Sequence, residues 1–317
     1  MRFTVKAILA AALFWGVYWF AAAQIIEHQI KALVARNTLL AADATSTVTG
    51  VPLGFHMTLR DVDWRSRDGL RAWQADAVTL DAASYWPNRI YIGFPEQQEI
   101  GLAGLTSRLH STAMTAQTSF GADLILREAL MTLGETRMEP PLFVDGLDGA
   151  DMSLQRIESG TYSLSVQAGS LVFAAPVLAA LDPDEILPDH LDGFQIDASL
   201  QFTGPIPLQG PLPRLTSMQV VNAQLDWGAL KLTLDGQITR SEAGALDGQM
   251  ILALQDWRPF HALLVSNGAL PPDAATMAGL FLAAQAQPGG HAVSLPLELR
   301  ASVLSLGPFP VMRLPLF

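Results

Sequence analysis

Residues 220–254 read VVNAQLDWGALKLTLDGQITRSEAGALDGQMILAL, and their reading decides the fold class. Leu230, Leu232 and Leu234 alternate with Lys231, Thr233 and Asp235. A period of two puts the leucines on one face of a strand and the polar residues on the other. Gly228, the Ser241–Ala245 run and the Asp-Gly pairs at 235–236 and 247–248 supply turn chemistry around it. The stretch therefore predicts strands over Val220–Trp227, Leu230–Ile238 and Gly248–Leu254, a meander with one face buried and the other wet.

Working outward, the same grammar recurs. Phe55, Met57 and Leu59 share a face, as do Ile90, Ile92 and Phe94 after the Pro87-Asn88 turn. Further alternating runs cover Leu124–Leu126, Tyr162–Val166, Phe194–Phe202 and Leu295–Leu306. Helical signals are few. Asp256 is placed to cap a helix over 257–266 that stops at Asn267-Gly268, and a second helix is expected over 273–285, apolar at Met277, Leu280, Phe281 and Ala284. A short third helix is expected over 183–187, with Asp182 before it, Pro183 at its start and Glu185 closing a capping box. The proline-rich stretches 204–213 and 307–315 suit sheet edges or crossovers. The expected fold is mainly β with a few helices, a single β-rich domain over 45–317 built on an elongated antiparallel sheet.

The amino terminus reads differently. Arg2 and Lys6 precede an uncharged run from Ala7 to Ala23, and Ile25 and Ile26 extend it. A helix over 7–26 would rise about 30 Å, roughly the thickness of a hydrocarbon core. Two readings follow: a retained anchor over 1–26 whose helix extends to about Arg36, and a signal peptide cut before Gln24. Trp15, Tyr18, Trp19 and Phe20 near the distal end suit the interfacial belt of an anchor. This predicts a single-pass membrane protein with the bulk of the chain exported, or an exported protein after cleavage.

Composition removes several classes of function. Half of the residues are apolar and 15% are charged, so a disordered chain is excluded. The net charge is −11, with arginines scattered among acids and only Lys6, Lys31 and Lys231 as lysines, which argues against nucleic acid as a partner. Cysteine is absent, so thiol nucleophiles and thiolate metal sites are excluded. The six histidines lack zinc spacing, and neither a phosphate-binding Gly-x-x-x-x-Gly-Lys loop nor a Gly-x-Ser-x-Gly elbow occurs. The acid-rich turns around 145–151 and 182–192 lack the loop glycine and terminal glutamate of a calcium hand and read as turn and cap residues. No enzyme and no cofactor is expected. Tryptophans are the remaining outliers: Trp64, Trp73, Trp86, Trp227 and Trp257 are the candidate lining of a ligand groove, or else core packing.

Several motifs together resemble the alphaproteobacterial envelope family numbered 2125 among the domains of unknown function. They are the leading apolar segment, Ser84-Tyr85-Trp86-Pro87-Asn88-Arg89-Ile90 with Phe94-Pro95-Glu96-Gln97, the Leu225-Asp226-Trp227-Gly228 to Asp256-Trp257-Arg258 pattern, and the closing Leu304-Ser305-Leu306-Gly307-Pro308-Phe309-Pro310. The strand grammar of 220–257 is also similar to AsmA-like envelope proteins, whose sheet curls into a half-pipe that can hold acyl chains. The resemblance implies a single-pass bacterial inner-membrane envelope protein with the bulk of the chain in the periplasm, or a periplasmic one after cleavage before Gln24, and it assigns no residue a role. Together these readings predict a curved half-pipe or open sandwich behind a transmembrane helix. Its concave face would bind phospholipid or fatty acid, since three short helices look too few to cover so wide a sheet. The alternative is a ligand-free periplasmic scaffold pairing with other envelope proteins through a sheet edge. A hydrolase with a hidden site is the third reading.

Overall fold

The computed structural model describes residues 46–50, 54–66, 68–208, 210–241, 244–286, 290–306 and 309–313. These form one antiparallel sheet of 21 strands. It opens with β1 (Ser46–Thr49), β2 (Gly54–Arg65) and β3 (Arg71–Ala83). It closes with β16 (Leu215–Trp227), β17 (Leu230–Arg240), β18 (Leu246–Leu254), β19 (Val293–Arg300), β20 (Val303–Leu306) and β21 (Phe309–Arg313).

Between them the strands come in collinear pairs. β4 (Trp86–Gly93) runs on into β5 (Gln97–Leu102), β6 (Leu105–Ser111) into β7 (Met114–Phe120), and β8 (Leu126–Leu133) into β9 (Thr136–Glu139). β10 (Val144–Leu147) likewise continues as β11 (Ala150–Glu158), β12 (Thr161–Ala168) as β13 (Leu171–Phe173), and β14 (His190–Leu191) as β15 (Gly193–Phe202). Each half pairs with the matching half of its neighbour: β4 with β7 and β5 with β6, β8 with β11 and β9 with β10. The interruptions therefore line up as one crease across the sheet, marked by Pro95, Gly134, Gly149, Gly169 and Asp192. Backbone bonds bridge it, for instance Ser111 N to Glu96 O at 2.8 Å and Asp148 N to Ser170 O at 2.9 Å. A line of bulges bends strands without releasing their pairing.

The register turns this meander into two faces of opposite chemistry. One cross-strand row runs Met57, Leu80, Ile92, Ala116, Met131, Met152, Val166, Ile196, Ala223, Leu234, Leu252, Leu295. The row one residue away runs Thr58, Thr79, Gly93, Thr115, Thr132, Asp151, Gln167, Gln195, Gln224, Thr233, Ala253, Ser294. A one-residue slip anywhere would exchange the two rows, so apolar burial pins the register.

The apolar face is filled by the chain itself, in separate places. The largest cluster lies under α1 (Ala175–Leu181), α2 (Trp257–Ser266) and α3 (Pro272–Gln285) and contains Trp227, Leu252, Leu264, Leu282 and Leu295. A second gathers Phe120, Leu126 and Tyr162 with Ile206. Here the proline-rich strap is tied down: Ile206 N donates to the Tyr162 hydroxyl at 2.9 Å, and Leu126 N donates to Ile206 O at 2.9 Å. A third holds Val62, Ala75 and Val78 against Trp73 and Phe94.

Several expectations are corrected by this architecture. The sheet is open and uncurled, with β1 paired to β2 and β21 to β20 and no pairing between the two ends among the described residues; the half-pipe is replaced by an open sheet with local clusters. The fold behind a transmembrane helix also fails. No helix among the described residues is long and apolar enough to cross a membrane. The longest described helix, α3, has 14 residues and rises about 21 Å, short of a bilayer core. The expected span over Ala7–Ile26 and its extension to Arg36 lie outside the described residues. Nothing in the described residues supports the transmembrane, signal-anchor and inner-membrane readings.

The short helix expected over 183–187 lies one step earlier, as α1. Asp182 ends that helix instead of starting one, its N–H bonding Leu178 O at 2.7 Å. Its buried carboxylate accepts from Ile186 N at 2.9 Å and Leu187 N at 2.7 Å. Within α3 the apolar residues divide between an inward and an outward face. Ala278 and Leu282 are inward, while Met277 and Leu280 are 62% and 65% exposed.

Candidate functional site

The five tryptophans do not converge. Trp64 and Trp73 face each other in register on β2 and β3, and Trp73 donates to the buried Gln98 Oε1 at 2.8 Å. Trp227 is buried under the helices, donates to Pro188 O at 2.7 Å and packs on Phe173 at 5.1 Å between centroids. Trp257 begins α2 and meets His261 edge-on at 5.8 Å. Trp86 is exposed, with the Arg89 guanidinium 5.9 Å from its ring centroid. They are spread over several clusters and an open turn, and no single groove gathers them.

Much of the apolar face is covered by the chain's own helices and strap. Its depression at Leu215, Met218, Ile238 and Leu246 encloses about 250 Å³, below the roughly 300–1,000 Å³ of small-molecule pockets. The phospholipid or fatty-acid trough expected on a concave face is thus corrected. The helices and the 204–208 strap fill much of the space that a lipid would need.

Larger depressions lie on the polar face. One of about 570 Å³ is bordered by Gln219, Gln237, Gln249, Asp247, Glu298 and Arg300 over Gly236 and Gly248. Gly236 sits at φ +144°, and a Cβ there would fall 2.4 Å from Gln249 O, so close strand approach requires glycine. Another, of about 420 Å³, has Gly93 at its centre. A Cβ on Gly93 would fall 2.5 Å from Thr79 Oγ1. The missing side chain opens a gap in the threonine row, walled by Thr79, Thr115 and Thr132, with Gln117, Asp81, Tyr91 and Leu130 around it. A neighbouring depression of about 250 Å³ at Gly50, Gly54 and His56 shares Asp81 and Tyr91 with it. His56 Nδ1 is hydrogen-bonded to Asp81 Oδ1.

A different kind of surface lies on the helices. Asp256 caps α2 by accepting from Arg258 N at 3.0 Å, and the Arg258 guanidinium beside it holds its carboxyl down at about 2. His261 of α2 bonds Ala275 O of α3 at 2.9 Å. With Ala278 and Leu282 turned inward, the opposite stripe of α3 presents Thr276, Met277, Leu280, Ala283 and Ala284 to solvent. These positions follow helical spacing and form an apolar outward face. The sequence marks Met277, Leu280, Phe281 and Ala284 as the apolar positions of this helix without saying which of them face the sheet, because α3 is apolar all round and periodicity has little to distinguish.

Among the described residues no group of three His, Asp or Glu is arranged to hold a metal ion. No curated protein and no solved structure matches the chain. The profile of the family described as "Uncharacterized protein conserved in bacteria (DUF2125)" matches residues 19–315. The chain belongs to that family.

Proposed function

We propose that this member of the family is a non-enzymatic protein-interaction scaffold, whose contact surface is the outward face of α3. One observation carries the reading. Met277 and Leu280 stand 62% and 65% exposed on a helix fixed to the sheet, an arrangement that holds apolar side chains in water unless a partner covers them. The sheet edges are poorer candidates. Beyond its pairing with β1, β2 presents Arg60, Asp61, Asp63 and Arg65, with Asp61 at φ 54°, and β21 contains Pro310. Charge, bulges and proline are the devices that keep edges unpaired.

The test is a photo-crosslinking amino acid placed at Met277 or Leu280 of the full chain in cells. A discrete adduct is expected at both positions, and it should disappear from the Met277 probe when Leu280→Glu is added. The same probe at Thr239, on the polar face, should give none. Adducts of equal yield at all three positions, or at none, would remove the reading.

A further inference from the structure

We propose that the depression centred on Gly93 is a binding site for a neutral saccharide. This inference is independent of the helix-face reading, because it rests on the opposite side of the sheet and on different residues.

The argument begins with what the site excludes. Asp81 is the one charged residue lining it, and no lysine or arginine does, so phosphate, sulfate and nucleic acid find no counter-charge. A cation finds a single carboxylate, already bonded to His56, where hard cations need several oxygens. The lining instead combines two chemistries. Thr115 brings a hydroxyl that donates and accepts, Thr79 and Thr132 bring hydroxyl oxygens that can accept while they donate to Gly93 O at 3.5 Å and Asp151 Oδ1 at 2.8 Å, Gln117 brings an amide, and Asp81 brings an acceptor. Tyr91 and Leu130, 47% and 37% exposed on this face, bring apolar surface.

A sugar ring has this same duality. Its rim carries hydroxyls that both donate and accept, while its axial C–H groups make an apolar face that packs on an aromatic ring. About 420 Å³ falls within the range of small-molecule sites, and the gap exists because position 93 has no side chain. Tyr91 and Asp81 also border the adjoining depression at Gly50, Gly54 and His56. Two depressions sharing an aromatic and an acid point to successive units of an oligosaccharide on either side of Tyr91. Tyr85 and Trp86, 72% and 57% exposed at the β3–β4 turn, place further aromatic surface near the start of β4.

The test is affinity electrophoresis of the full chain through native gels containing glycogen, dextran, mixed-linkage β-glucan or galactomannan, with heparin as the anionic comparison. Retardation is expected in at least one neutral gel and in none with heparin. Tyr91→Ala should weaken it about tenfold, the scale of losing one anchoring aromatic. Gln117→Ala should weaken it less, and Met277→Glu should leave it unchanged. Tyr91 is half exposed, so its removal should spare the fold; an unaltered circular dichroism spectrum checks this. Absence of retardation in all four neutral gels, retardation confined to heparin, or a Tyr91→Ala chain that migrates like the parent would overturn the proposal.

Discussion

Ile251 and Leu252 are neighbours on β18, and truncating each to alanine tests the register of the whole sheet. Ile251 is 48% exposed on the polar face; Leu252 is 4% exposed between Leu234 and Leu295 in the largest cluster. Leu252→Ala removes apolar groups worth about 0.8 kcal/mol per methylene and leaves a cavity under the helices, a combined cost of about 3 kcal/mol. That shifts the folding equilibrium about two orders of magnitude. Ile251→Ala removes a comparable volume from a half-wet position and should cost well under about 1 kcal/mol. The assay is urea denaturation followed by tryptophan fluorescence, since Trp227 and Trp257 report from that cluster. The expected result is a clearly lower midpoint for Leu252→Ala beside a nearly unchanged one for Ile251→Ala. Equal shifts, or the reverse order, would refute the assignment of the two faces.

Three more outcomes follow from individual contacts. Trp227→Phe keeps the packing on Phe173 but leaves Pro188 O without its donor, and should lower stability by about 1–3 kcal/mol in the same titration. Asp182→Ala removes the acceptor for Ile186 N and Leu187 N beneath α1 and should cost about as much, with faster amide hydrogen exchange confined to residues 182–191. Asp256 titrates at about 2 in the fold against an ordinary 3.8, because Arg258 bonds its ionised form. The folded value is the lower one, so the stabilisation is fully present above 3.8 and is lost as pH falls through about 2. Asp256→Asn keeps a cap acceptor but loses the charge, so its midpoint should lie below the parent's at neutral pH. The gap should close between 3.8 and about 2; a pH-independent gap would exclude the pairing as its cause.

What could be read in the sequence was whatever depends on neighbours along the chain. The alternation of Leu230, Leu232 and Leu234 needs only a period of two, and the start of α2 needs only Asp256 ahead of an apolar run. Features set by contacts between distant residues were hidden. The crease is an example: Pro95, Gly134, Gly149 and Gly169 each look like a turn, and only the lateral pairing of six long strands shows that they fall on one line. Asp182 is another. An Asp ahead of Pro183 and Glu185 looks locally like a helix cap, which accepts from N–H groups two or three residues on. In the loop after α1 the carboxylate instead accepts from Ile186 N and Leu187 N, four and five residues on, with no helix following.

The candidate sites were hidden for a related reason. Tyr91 and Gly93 lie within the run that was read for its apolar members, Ile90, Ile92 and Phe94, and the polar side of that strand carried no motif. A site on a sheet is assembled across strands: Thr79, Gly93, Thr115 and Thr132 belong to four strands and are spaced 14, 22 and 17 residues apart in sequence. Their common row exists only once the apolar residues have fixed the register. The two faces are thus coupled, since the half-buried Leu80, Ile92, Ala116 and Met131 on one side share the register that aligns the threonines on the other. A slip that buried Tyr91 would scatter the saccharide site and expose the core together. For that reason Tyr91→Ala and Leu252→Ala should separate cleanly, the first changing recognition with stability preserved and the second lowering stability with the depression intact in the molecules that remain folded.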